Sequence, residues 1–277
     1  MAELKPRYAS EFDSLTTELI VRTTLHLATV LGDFRDDLVL VGGMAPYFLI
    51  DQTKQPYESR HIGSRDVDVG LNFALLDEGR YESIAQRLRS AGFVPGMNNE
   101  GNRTRQSWRH ATHERAVVEF LMDAEGEPST LQSLTGELAS IITPGIRLAF
   151  RDRMSVRLSG STLDGAEAER DFYVCGPGAL LVTKALAFHS RSSGKDAYDI
   201  HYVAQCFGSG PDEVANHIRP LLDDPKAVEG LNLIRENFET LDRNGPVKLA
   251  QFFARDDDLA FRADVSGLVM DVVQRCG

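Results

Sequence analysis

The sequence predicts an α+β chain, with strands and helices mixed through residue 175 and helices alone from residue 176 to residue 277. Two observations carry this reading. Short runs rich in valine and leucine recur up to Cys175, among them LVLV at 38–41, RDVDV at 65–69 and AVVEFLM at 116–122. After Gly176 such runs fade, and apolar residues recur instead at the spacing of a helix face.

Taken in order, residues 11–31 carry Phe12, Leu15, Leu19 and Leu27 as a helical stripe. LVLVGG follows as a buried strand that ends in a tight turn, and MAPYFLID, with proline in its first turn, starts a helix directly after the glycines. SRDVDVGLN is a second strand. Asp77 is placed to cap a helix through Tyr81, Ile84, Ala85 and Leu88, which Gly92 stops. SWRHATHERAVVEFLMD reads as two strands joined near 110–114, and RLAFRDRMSVRLSG and RDFYVCG read as two more. The helical half comprises ALLVTKALAFHS, KDAYDIHYVAQC, DEVANHIRPLL, a stretch near 228–241 and DLAFRADVSGLVMDVVQR. No linker separates the halves, so 1–175 and 176–277 are expected to pack tightly around a cleft.

Composition narrows the function classes. The 277 residues are 42% hydrophobic and carry a formal net charge of −11, which excludes a protein that coats nucleic acid through a general excess of lysine and arginine. Any nucleic-acid contact must be local. No stretch approaches the twenty or so apolar residues that span a bilayer, and MAELKPRYASEFDS lacks the pattern of a secretory signal, so a cytoplasmic location without membrane contact is expected. Cys175, Cys206 and Cys276 lie far apart without a CxxC spacing and read as buried thiols.

The chemistry concentrates in three places. Side chains alternate along a strand, so Asp66 and Asp68 share one face while Arg65, Val67 and Val69 share the other. Two such carboxylates repel unless a cation lies between them, and an oxygen-seeking ion such as Mg²⁺ is the natural occupant. Glu119, an acid within the apolar strand AVVEFLMD, is the candidate third ligand, and three carboxylates can hold two ions for in-line phosphoryl displacement. Gly42 and Gly43 end a strand and open a helix, where bare backbone and free N–H groups admit a phosphate.

Blander alternatives exist for each: a GG pair is often only a turn, a DxD pair a solvated strand, and Glu119 a surface acid on an edge strand. Their order along the chain joins them. Lys184, in an apolar helix, either extends outward or faces an anion in a cleft. Lys195 and Asp199, at i and i+4, form at minimum a surface ion pair, with Asp196 close by. Trp108, Arg109 and His110 can contact a base or simply pack in a strand. His61, His113 and His189 show no metal-ligand spacing, and neither a serine-triad motif nor a Walker A loop occurs.

The order strand–GG–helix–strand–DxD, followed by an acid in a later strand, resembles the nucleotidyltransferase fold of DNA polymerase β and the CCA-adding enzymes. The segment KALAFHSRSSGKDAYDI at 184–200 is similar to an element of the AbiEii/AbiGii group, which includes toxins of toxin–antitoxin pairs. The resemblance implies a mixed sheet with flanking helices, followed by a C-terminal helical region. It implies an enzyme that moves NMP from NTP to an acceptor hydroxyl, with Asp66, Asp68 and Glu119 on Mg²⁺ and Gly42 and Gly43 against the nucleotide phosphates. Lys184 and Lys195 would offset the triphosphate, and Asp196 and Asp199 would complete the cleft wall. The acceptor would be tRNA, another RNA, a protein or a small molecule such as an antibiotic, and an antitoxin would be a partner. Two departures stand out: the residues QTKQPYESRHIG (52–63) are inserted between GG and DxD, and the third acid is glutamate rather than aspartate. A catalytically silent nucleotide-binding module is the reading of a different class.

Overall fold

The computed structural model describes residues 6–72, 78–97, 101–123 and 131–277. Helix α1 (Ser14–Val30) opens it, capped by Asp13, whose carboxylate accepts from the backbone N–H of Thr16. Strand β1 (Leu38–Val41) runs into a single 3₁₀ turn over Gly42–Met44 and then the short helix α2 (Ala45–Leu49), with Pro46 in its first turn. Strand β2 (Val67–Leu71) and helix α3 (Glu78–Ser90) follow. The capping role expected of Asp77 lies outside the described residues. Tyr81, Ile84, Ala85 and Leu88 are buried as their spacing requires, and Gly92 turns the chain with φ +82°.

Strands β3 (Phe93–Met97), β4 (Arg103–His110), β5 (Val117–Met122), β6 (Leu131–Ser133) and β7 (Ala139–Ile142) come next, then the one-turn helix α4 (Leu148–Arg151). The hairpin of β8 (Arg153–Ser161) and β9 (Glu167–Cys175) closes the sheet region. Among the described residues, these nine strands form one mixed sheet whose main path is β3-β4-β5-β2-β1-β9-β8, with β7 pairing β5 and β6 pairing β7. β2 is antiparallel to β1 but parallel to β5, the arrangement that sets a carboxylate of one strand beside a carboxylate of the next.

Helices α5 (Pro177–Arg191), α6 (Gly194–Cys206), α7 (Pro211–Ile218), α8 (Pro225–Phe238), α9 (Asn244–Phe252) and α10 (Leu259–Cys276) complete the chain. They pack on one another, and α5 and α6 also reach α2 beside the glycine turn. Leu40, Val67 and Val69 face α1, whereas Val39 and Gly70 face the segment around Ile146 that leads into α4. The sheet thus buries its α1 face in the core and leaves part of the opposite face for polar side chains.

Some sequence expectations need correction. Leu15 is 75% exposed and does not belong to the buried stripe of α1, which runs through Ile20, Leu25 and Leu27. RLAFR is helical in α4, so the strand expected there begins only at Arg153. Trp108 is fully buried and donates its indole N–H to the carbonyl of Arg105, so it packs rather than stacks on a base. Strands β3, β6 and β7 and helix α9 carry no clear signal in the sequence.

Candidate active site

Strand register builds the acidic cluster. Asp68 stands opposite Glu119 on the parallel neighbour β5 and opposite Val41 on β1, so both acids occupy one row of the sheet. Asp66 lies just before β2 and accepts a hydrogen bond from the Ser64 hydroxyl at 2.9 Å. Oxygens of Asp66, Asp68 and Glu119 lie within 4.8 Å of one another. β5 lies between β2 and β4, so Glu119 does not sit on a sheet edge. Burial, reinforced by the charges of Asp66 and Glu119, holds the Asp68 carboxyl well above the usual carboxylate range. Three converging carboxylate oxygens fit a hard divalent cation such as Mg²⁺, which would relieve that repulsion.

The glycine turn presses against this cluster. Gly42 has φ +71°, and a Cβ built on it would fall 1.8 Å from Asp68 Oδ2, so both its conformation and its neighbour require glycine. A Cβ on Gly43 would lie 2.8 Å from the Ser64 hydroxyl and 3.6 Å from the Lys195 ammonium. The backbone of this turn is therefore bordered by carboxylates on one side and a lysine on the other.

A buried ion network lies alongside, supplied by the turn between α5 and α6. Ser192 ends α5 with φ +48°, and Gly194 opens α6, which brings Lys184 and Arg191 of α5 against Asp196 and Asp199 of α6. Lys184 does not extend into solvent. Its ammonium lies 3.2 Å from Asp196 and 2.8 Å from Asp199. Arg191 holds Asp196 with two bonds of 2.7 Å, and Lys195 pairs with Asp199. Burial opposes the charge on Lys184, but Asp199 and Asp196 outweigh it and raise its pKa. Burial lowers that of Lys195, with Asp199 opposing and the Lys184 charge assisting. Burial would raise Asp199, yet Lys184 and Lys195 hold its carboxylate well below the usual range. The Lys195–Asp199 pair is thus no surface pair, because both side chains are largely withdrawn from solvent.

His61, Ser64 and Arg191 were not singled out for the site in the sequence. His61 Nε2 lies 2.9 Å from Asp199, while its Nδ1 accepts the backbone N–H of Gly63. Gln52 accepts from the backbone N–H of His61 and from the Tyr202 hydroxyl, and the Ile62 N–H donates to the Tyr198 hydroxyl. The inserted segment 52–63 is therefore fastened at both ends to α6. A serine two residues before a DxD is a signal that sequence offers for Ser64; His61 offers none.

A glycine turn at a strand end, a carboxylate row on adjacent strands of a mixed sheet and flanking helices define a nucleotidyltransferase fold. The chain matches the family described as Nucleotidyl transferase AbiEii toxin, Type IV TA system, over residues 27–274, and it belongs to that family. No curated protein and no solved structure matches it. No helix among the described residues is long and apolar enough to cross a membrane.

Proposed function

We propose that this protein is a Mg²⁺-dependent nucleotidyltransferase that moves NMP from NTP onto an acceptor hydroxyl, acting as the toxin of a toxin–antitoxin pair. The observation that carries this reading is the contact of Gly42 with Asp68 inside a cluster of three carboxylates. Bare backbone for phosphate and a donor set for metal then meet at one point.

Asp66, Asp68 and Glu119 would hold the metal, which when bound supplies charge neutralisation for the phosphates. Gly42 and Gly43 let the triphosphate approach the backbone, with Lys195 beside Gly43 to offset its charge. Lys184, Asp196 and Asp199 fix the position of Lys195 and of Arg191. The acceptor oxygen attacks the α-phosphorus, the bond to the β-phosphate oxygen breaks, and pyrophosphate departs. Where Glu119 serves as base rather than as third ligand, it would receive the acceptor's proton. Positioning and charge supply most of the acceleration in this scheme. Residues 1–175 form the catalytic unit and 176–277 the helical unit that closes the cleft, in the cytoplasm, with an antitoxin as regulator.

The test is incubation with each α-labelled NTP, Mg²⁺ and whole-cell RNA, protein and small-molecule fractions. Label transferred to one fraction with release of pyrophosphate supports the proposal. Mg²⁺-dependent NTP binding without pyrophosphate release in any fraction would leave a silent nucleotide-binding module instead.

A further inference from the structure

Residues 52–63 run between α2 and the strand that carries the aspartates, and nucleotidyl transfer as set out above gives them no task. Their middle is exposed, with Tyr57 at 77%. His61, near their end, is fully withdrawn from solvent, and its ring packs against Tyr198 and Tyr202 of α6 with centroids 5.2 and 4.9 Å away. An apolar side chain would suit that packing at lower cost, because a buried polar ring needs a partner for each nitrogen. The imidazole has both: Nδ1 accepts the Gly63 N–H at 3.1 Å, and Nε2 donates to Asp199 Oδ1 at 2.9 Å.

The second of these bonds acts on the carboxylate that holds Lys195. Asp199 Oδ2 takes Lys184 at 2.8 Å, while Oδ1 takes both His61 and Lys195. Donors from α5, from α6 and from the inserted segment thus fix the rotation of one carboxylate. Without the imidazole N–H only the two lysines fix it, and an ammonium on a flexible four-carbon stem follows the oxygen it pairs with. The other neighbours of the Lys195 ammonium are the rings of Tyr198 and Phe12, at 5.3 and 5.8 Å, which attract a cation without setting its direction as a hydrogen bond does. Where it now stands, the ammonium lies 3.6 Å from the place of a Cβ on Gly43.

We infer that His61 is a positioning residue for nucleotide binding, a role that rests on the nucleotidyltransferase reading: through Asp199 it holds the Lys195 ammonium at the glycine turn, and the inserted segment is the strap that delivers it. The test is calorimetric titration of Mg²⁺ with each of the four NTPs into wild type and variants that differ in the reach of one amide. His61→Asn can still accept the Gly63 N–H, as in an Asx turn, but ends short of Asp199. His61→Gln reaches Asp199 and restores the donor. Loss of a hydrogen bond to a charged group should raise the Kd of the asparagine variant about tenfold, and the glutamine variant should stay within about threefold of wild type. His61→Phe, which keeps a ring against the tyrosines without any N–H, should behave as the asparagine variant and covers the case in which that one does not fold. In a Lys195→Met background, His61→Asn should weaken binding no further, since the group it positions is gone. Wild-type affinity in both donor-free variants, equal losses in the asparagine and glutamine variants, or full additivity with Lys195→Met would each overturn the role of His61 alone. Absence of Mg²⁺–NTP binding by wild type would overturn the nucleotidyltransferase reading and the role of His61 with it.

Discussion

His61 Nε2 lies 2.9 Å from Asp199 Oδ1, and both side chains are fully withdrawn from solvent. Because Nδ1 accepts the Gly63 N–H, the ring proton sits on Nε2 and points at the carboxylate. The imidazole is neutral. Burial, reinforced by the charge of Lys195, lowers its pKa from 6.5 to about 4 despite Asp199. A folded pKa below the unfolded one means that the unfolded chain binds the proton more tightly. The stability His61 contributes is therefore complete above pH 6.5 and lost as the pH falls from 6.5 toward about 4. His61→Gln keeps a donor for Asp199 and does not titrate. It should make unfolding free energy, measured in urea between pH 6.5 and 5, less steep by about 1.4 kcal/mol per pH unit at most. An unchanged slope would show that the ring binds its proton as readily in the fold as in the unfolded chain.

Asp68 shows the opposite sign. Its raised pKa means that, without a cation, the ionised carboxylate costs stability against Asp66 and Glu119. Asp68→Asn should raise the melting temperature in EDTA. Adding Mg²⁺ should stabilise wild type by the binding term RT ln(1 + [Mg²⁺]/Kd) and the variant much less. Nucleotidyl transfer by the variant should fall by about 10²–10³-fold or more. Equal Mg²⁺ shifts in the two proteins would remove Asp68 from the ligand set.

Gly42→Ala tests the glycine side of the same contact. The left-handed φ of +71° costs a residue with a Cβ about 1–2 kcal/mol, and the methyl would also displace the Asp68 carboxylate. The variant should lose stability and weaken Mg²⁺ binding together. Gly165→Ala, also at positive φ (+83°) but with nothing within 4 Å of its Cβ, should lose a similar stability and keep Mg²⁺ affinity. Like behaviour of the two variants in both assays would reduce Gly42 to an ordinary turn residue.

The Gly42–Asp68 half of the site is legible in the sequence because its chemistry is local: alternation sets the aspartates on one face, and a glycine pair between strand and helix marks a tight turn that needs bare backbone and a positive φ. Glu119 is legible as an acid in an apolar strand, although only the β2–β5 register shows that it meets Asp68. His61 is not legible, since its partner lies 138 positions away and neither residue shows spacing toward the other. β3 is disguised by Pro95 and Gly96, tolerated because it forms a sheet edge. The opening Asn-Gly-Pro of α9 reads as a turn, yet Gly245 is buried against the ring of Phe238 where a Cβ would not fit.

Lys184 tests whether the ion network is a scaffold. The network sets Lys184, Lys195 and Arg191 against Asp196 and Asp199, with His61 neutral. Lys184→Met retains much of the side chain's volume but removes the cation shared by both aspartates. Asp196 would keep Arg191, and Asp199 would keep Lys195 and the His61 N–H, so neither is wholly stranded. Breaking a buried pair by removing one partner costs about 3–5 kcal/mol, and the remaining partners place this variant at or below the low end, near 3 kcal/mol by urea unfolding. The triple variant Lys184→Met/Asp196→Asn/Asp199→Asn removes the carboxylate charges as well and should recover part of that loss. It should not recover nucleotide binding, because Lys195 then lacks the carboxylate that holds it beside Gly43. Full recovery of both would show that the network stabilises the fold without positioning Lys195.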